Sequence, residues 1–284
     1  MDIGGTEVDQ FEHLKPIYRS KLRAFLGRKY YTYRRYIEWF IHHHKFAKQN
    51  SKINLDFCII KHQTPLYRPL KNVDMWLQDN KVNNLKIAIR QIDGIIIKPG
   101  ETFSYWKLIG NPTASKGYKD GMILHYGSFK AGVGGGLCQL SNLIYWMTLH
   151  TPLTVTERHR HSFDVFPDAN RTQPFGSGAT CVYNYRDLRI LNDTDEDYQI
   201  RLFIENDCLV GIILSNRPQY FKYNIYERNH KFTLQFWGAY VRHNEIRRVV
   251  KSMNDDKIID EHVCENHALM MYEPLLESGD NTLE

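Results

Sequence analysis

Apolar residues along this chain fall at two different periods. In one stretch Leu140, Leu143, Ile144 and Met147 stand at i, i+3, i+4 and i+7, the spacing of a helix with one buried face. The residues just before it read Gly132-Val133-Gly134-Gly135-Gly136-Leu137-Cys138-Gln139, so a glycine run ends and a helix begins near Cys138. A second helical stripe, Leu14, Ile17, Tyr18, Leu22, Phe25 and Leu26, runs through residues 13–49, with Gly27 as a candidate break. Residues 66–81 contain helix-compatible and loop-like stretches, with Pro65 and Pro69 as breakers, and 85–90 are compatible with continuing a helix. Strand patterns cover 54–61 and 94–98, and a hairpin is predicted at 122–125 and 129–133 around Tyr126-Gly127-Ser128. Residues 153–165 alternate. If extended, Leu153, Val155, Glu157, His159, His161, Phe163 and Val165 share one face, and Arg158, Arg160, Ser162 and Asp164 the other. Further strands are predicted at 179–185, 199–205, 208–214, 222–227, 232–242 and 247–251.

These elements predict an α+β fold: a mixed or antiparallel sheet packed with the cysteine-bearing helix, a basic helical N-terminal segment and a mostly β C-terminal part. The expected divisions are a basic helical segment (1–50), an α/β lead-in (51–93), a core (94–187), a mostly β part (188–276) and an acidic tail (277–284) that frays.

Charge refines this picture at one place. The chain has 284 residues, 37 basic against 32 acidic, for a net charge of +5, and 42% hydrophobic residues, enough for a sizeable core. Lys15, Arg19, Lys21, Arg23, Arg28, Lys29, Arg34, Arg35, Lys45 and Lys48 face only Glu12 and Glu38, with Tyr30, Tyr31, Tyr33, Tyr36, Trp39 and Phe40 interleaved. A helix docked on the core with a solvated basic face, or peripheral contact of residues 13–49 with an anionic membrane, both fit this pattern. A nucleic-acid partner is not expected. The five cysteines are odd in number and lack CxxC spacing, which points away from a disulfide framework and toward a reducing compartment. The N-terminus has no signal-peptide pattern, and no apolar run reaches the ~18 residues of a membrane span. The expected location is therefore cytoplasmic, with possible contact at the membrane face.

Cys138 is the first candidate for chemistry. At a helix start, unpaired N–H groups and the macrodipole favour thiolate over thiol. A cysteine nucleophile needs a base and an orienting group. His159 and His161 are the candidate bases, with Asp164, Glu157 or Asn184 to orient them. The competing arrangement is a metal site of Cys138, His159, His161 and Cys181. Three adjacent histidines, His42 to His44, point in different directions on a helix and make a poor single site. No cofactor motif is present.

The segments Pro99-Gly100-Glu101-Thr102-Phe103-Ser104, Gly134 to Ser141, Glu157-Arg158-His159-Arg160-His161-Ser162 and Gly178-Ala179-Thr180, in this order and spacing, closely resemble the VanW family. The resemblance implies a role in the cell wall and an accessory function in glycopeptide resistance. Secreted members act as L,D-transpeptidases, cysteine-dependent acyltransferases that join peptidoglycan stem peptides, so a stem peptide or its precursor is the implied partner. By position, Cys138 would be the nucleophile and His161 the general base. Gly134, Gly135 and Gly136 would then supply oxyanion donors, flanked by Gln139, Ser141, Ser162 and Thr180. The secreted kind often carry Gly-x-Asp-Ala-Thr, and here Gly178 occupies the aspartate position. Asp164 or Asp168 would have to replace that carboxylate. A non-catalytic protein that binds a cell-wall precursor or a membrane partner is the alternative.

Overall fold

A computed structural model describes residues 19–67, 74–125, 128–165 and 173–272. Leu14, Lys15, Ile17, Tyr18, Tyr126, Gly127, Asp168 and the acidic tail lie outside the described residues. Helix α1 spans Lys21–Ile41. Strands β1 (Gln49–Asn50) and β2 (Phe57–Pro65) precede α2 (Met75–Ile92), which leads into β3 (Ile95–Ile97), β4 (Thr102–Ser104) and the short α3 (Tyr105–Ile109). The hairpin β5 (Asp120–His125) and β6 (Ser128–Val133) enters α4 (Cys138–Thr148). After it come β7 (Thr154–Glu157), β8 (Phe163–Asp164), β9 (Arg189–Leu191), β10 (Tyr198–Glu205) and β11 (Cys208–Ser215). Three long strands, β12 (Phe221–Leu234), β13 (Tyr240–Ser252) and β14 (Ile258–Met270), close the described chain.

The central sheet runs β1-β3-β10-β11-β2 with every neighbouring pair antiparallel. Its apolar positions face α2 and α4, which pack on β10 and on β11 and β2 respectively. Leu140, Leu143, Ile144 and Met147 of α4 are buried with Ile95, Ile97, Ile200, Leu209 and Ile213 of the sheet. The helical stripe read from the sequence is therefore the face that anchors Cys138 to the core. A second sheet, β12-β13-β14-β8, has β8 parallel to β14. A third, β4-β9-β7, carries the matched segments around Ser104 and Glu157.

The α+β class and the mostly β C-terminal part are as predicted, and four details differ. Gly27 does not break α1: it is a half-buried residue inside the continuous helix Lys21–Ile41. The alternating run 153–165 is not one strand: β7 ends at Glu157, and pairing resumes only in β8 at Phe163–Asp164, in another sheet. Beyond Glu157, Arg158 turns to the carbonyls of Gly176 and Gly178 and lies over the Tyr145 ring, which pulls the backbone out of the sheet. Residues 179–185 form turns with one isolated bridge, Val182 to Arg186, and no strand. The predicted pieces 222–227, 232–242 and 247–251 belong to two continuous strands, and β14 is a third that the sequence pattern did not reveal.

Candidate functional site

The turn before α4 is fixed by glycines and by a buried asparagine. Gly134 and Gly136 have φ of 77° and 89°, in the left-handed region that disfavours side chains. Asn84 of α2, fully buried, donates to the carbonyls of Lys119 (2.9 Å) and Gly135 (3.0 Å) and accepts from Lys119 N–H (2.8 Å). The amides of Gly134, Gly135 and Gly136 donate to the carbonyls of Lys119, Gly132 and Met122. Their N–H groups are therefore spent within the turn, which corrects the expectation that they would serve as oxyanion donors. Among the described residues the amides of Leu137 and Cys138 donate to no backbone carbonyl. The Cys138 amide instead faces its own sulfur.

Cys138 is the first residue of α4, as the sequence predicts. Its Sγ lies 3.7 Å from the Cys181 carbonyl, to which the thiol donates. Beneath it the buried Tyr105 hydroxyl donates to the Leu137 carbonyl at 2.8 Å. Ser141 Oγ donates to the Ala179 carbonyl at 2.7 Å, and Asn142 Oδ1 accepts from the Ala179 amide at 2.7 Å. Residues 179–181 are thus laced to the first turn of α4. Burial pushes the Cys138 thiol up, against the lowering by its amide neighbours, the direction opposite to the one a helix start alone would give. Desolvation here outweighs the half-charge of the helix end. The Cys181 thiol, more deeply buried and next to Cys138, is pushed up further.

Polar groups with no partner gather in the same segment. Thr180 Oγ1 and both side-chain polar atoms of Asn184 are buried and make no hydrogen bond. Buried polar atoms left in this state are uncommon. Thr180 and Asn184 were both candidates from the sequence. Gln139 is engaged, donating to Thr64 Oγ1 (3.0 Å) and the Pro65 carbonyl (2.9 Å), and the Ser162 side chain is exposed.

Neither histidine is hydrogen-bonded to Cys138 among the described residues. His159 Nε2 lies 3.1 Å from Glu157 Oε1. Glu157 also receives the Arg35 guanidinium in two bonds of 2.7 and 2.8 Å and the Asp187 amide at 3.0 Å. Burial would raise the Glu157 carboxyl, but these partners outweigh it and hold it at about 2. His161 is held at about 4 by burial and by the Arg186 charge, so its imidazole is neutral at pH 7. Asp164 Oδ2 receives Tyr272 Oη at 2.9 Å and Arg242 at 3.4 Å, which commits this carboxylate to the second sheet. The metal arrangement of Cys138, His159, His161 and Cys181 is not assembled: among the described residues no three His, Cys, Asp or Glu side chains are grouped to hold an ion.

Sequence reasoning missed Asp187, fully buried, which accepts from Ser104 Oγ and the Trp106 amide. It also missed Arg189, which pairs with Glu38 and lies 3.3 Å from Glu157. Ser104 was visible in the Pro-Gly-Glu segment, but nothing in the pattern ties it to a residue 83 positions away.

Comparison with known proteins covers this whole region. Residues 80–214 match the family model described as VanW like protein. The Vancomycin B-type resistance protein VanW of Enterococcus faecalis is 32% identical over 235 residues, 83% of this chain and 85% of that protein. The uncharacterized protein YoaR of Bacillus subtilis is 30% identical over 122 residues, 43% of this chain and 39% of its own length. No solved structure matches the chain. With Cys138, His159, His161, Thr180 and Asp187 all inside the matched span, and most of both chains aligned with the Enterococcus protein, the chain belongs to the VanW-like family.

Proposed function

We propose that this chain is an accessory protein of glycopeptide resistance that acts on peptidoglycan stem peptides by acyl transfer through Cys138. The resistance role is supported by the likeness to the Enterococcus protein. The chemistry rests on one observation: a thiol at the start of α4 lies against a segment with unspent hydrogen-bonding groups, Thr180 Oγ1 and the Asn184 carboxamide. Those groups suit a peptide backbone, which offers donors and acceptors in alternation.

In this reading the neutral His161 imidazole takes the thiol proton as Sγ attacks the acyl carbon of the stem peptide. The C–N bond to the terminal residue breaks, and the imidazolium returns the proton to the leaving amine. The thioester on Cys138 is then attacked by the amine of a second stem peptide, which restores the thiol. In this reading the Leu137 amide, which donates to no backbone carbonyl among the described residues, receives the oxyanion. For this cycle the thiol exchanges its bond to the Cys181 carbonyl for one to His161.

A second reading, precursor binding without turnover, is favoured by that same bond and by the raised thiol. Intact-mass spectrometry after incubation with a stem tetrapeptide separates the two. Acyl transfer gives an adduct with the mass of the acyl fragment that is lost in Cys138→Ala and slowed in His161→Gln. Calorimetric binding of the tetrapeptide with no adduct supports the binder, and neither binding nor adduct removes the stem peptide as partner.

A further inference from the structure

Among the described residues, helix α1 is held to the body along one side. Arg35 and Glu38 pair with Glu157 and Arg189, Trp39 is buried, and Tyr36 Oη meets Tyr183 Oη at 2.7 Å. The opposite side carries Leu22, Leu26, Tyr33, Ile37 and Phe40, whose spacing places them on one face. They are 68, 56, 60, 59 and 82% exposed, which no other helix here matches among the described residues. A face of this kind marks an interaction surface.

Charge identifies what covers it. Helix α1 contains Lys21, Arg23, Arg28, Lys29, Arg34 and Arg35 with Glu38 as its one acid. Its surplus therefore equals the net charge of the whole chain, +5, and the remainder is balanced. Glu38 is spent on Arg189 and Arg35, so among the described residues Arg23, Arg34 and Lys29 border the apolar stripe without a paired acid. We propose that the outward face of α1 docks peripherally on an anionic phospholipid surface, its apolar stripe entering the headgroup boundary and its flanking cations meeting lipid phosphates. This is the build of an interfacial helix: an apolar face with aromatic residues, edged by Lys and Arg. A second copy of the chain would bring a like-charged helix against this one. A nucleic acid would use the cations but leave Leu22, Ile37 and Phe40 in water. Among the described residues no helix is long and apolar enough to cross a membrane, so the contact lies on the surface. The ion pairs to Glu157 and Arg189 fix the inward side of α1 and leave this face exposed.

The test is co-sedimentation of the full chain with vesicles of phosphatidylcholine alone and of phosphatidylcholine mixed with phosphatidylglycerol, at low and high salt. Binding is expected only to the mixed vesicles and to weaken as salt rises. Leu26→Glu/Phe40→Glu should abolish it with the thermal unfolding temperature unchanged, because both side chains face solvent. Arg23→Gln/Arg34→Gln should weaken it by about thirtyfold. The proposal is overturned by equal binding to both vesicle types, by no binding to either, or by a Leu26→Glu/Phe40→Glu protein that still binds. It is also overturned if vesicles are ignored while the same double variants abolish self-association or binding to a DNA oligonucleotide.

Discussion

Gly178 stands at the position where the family resemblance leads one to expect an aspartate, and its surroundings make a sharp prediction. A Cβ built at this position would lie 2.7 Å from Asn142 Oδ1 and 3.1 Å from its Cγ. That oxygen is the acceptor for the Ala179 amide at 2.7 Å, and Ala179 is 1% exposed. To regain ordinary contact the carboxamide must retreat by about 0.6 Å, which stretches its bond to Ala179 beyond the usual ~3.2 Å limit. A buried N–H left unpaired costs about 1–3 kcal/mol. Gly178→Ala and Asn142→Ala should therefore each destabilise the fold by about 1–2 kcal/mol, read by urea unfolding. The double variant decides the case: with the Asn142 carboxamide already gone, the new methyl meets no obstacle, and the pair should cost no more than Asn142→Ala alone. A coupling of about 1 kcal/mol or more is thus expected. Strictly additive costs would refute the reasoning, as would a Gly178→Asp protein as stable as the parent.

Other consequences can be checked separately. Arg35→Ala leaves Glu157 without its bidentate partner and should cost about 2 kcal/mol in denaturant, since the pair is mostly buried; Arg35→Ala/Glu157→Gln should recover part of it. Acid should destabilise in two windows. His161 is depressed to about 4, so its contribution is intact above its unfolded value near ~6.5 and about 3 kcal/mol is lost as pH falls to about 4; His161→Gln should flatten that part of the stability profile. Glu157, held at about 2, adds a further loss as pH falls from about 4.5 toward 2, which Glu157→Gln removes. Iodoacetamide should label the exposed Cys58 first and the buried Cys181 last. With the other cysteines replaced, Cys138 should show a pH midpoint above the ~8.5 of a free thiol, and a midpoint below it would contradict the burial argument.

The sequence was most readable where one local period decides the structure. Helix α4 is an unbroken stripe that ends in the core, and the hairpin before it alternates between turn residues. The reading failed where tertiary contacts override the period. The run 153–165 alternates to its end, yet Arg158 finds the carbonyls of Gly176 and Gly178 and the strand stops at Glu157. The charges of α1 look solvated in sequence, but Arg35 and Glu38 are committed to residues more than a hundred positions away. No local signal announces those partners.

The same division runs through the candidate site. The position of Cys138 at a helix start is a local property and was visible; its ionisation is not local. A helix end offers roughly half a unit charge within one turn, whereas burial acts on the thiolate from every side, and the structure sets Cys138 where the second effect wins. The glycines have a different role from the one their pattern suggested. Their amides are closed on Lys119, Gly132 and Met122, and Asn84 locks the turn from α2, so the run fixes where α4 begins. By ending there it leaves the next two amides, of Leu137 and Cys138, without a backbone carbonyl partner among the described residues. If those amides serve the chemistry, Asn84→Ala should impair acyl transfer without touching substrate: loosening the turn would lower the rate of adduct formation and leave tetrapeptide affinity nearly unchanged. Equal losses in rate and affinity would mean that the turn holds the binding surface and has no special bearing on the oxyanion.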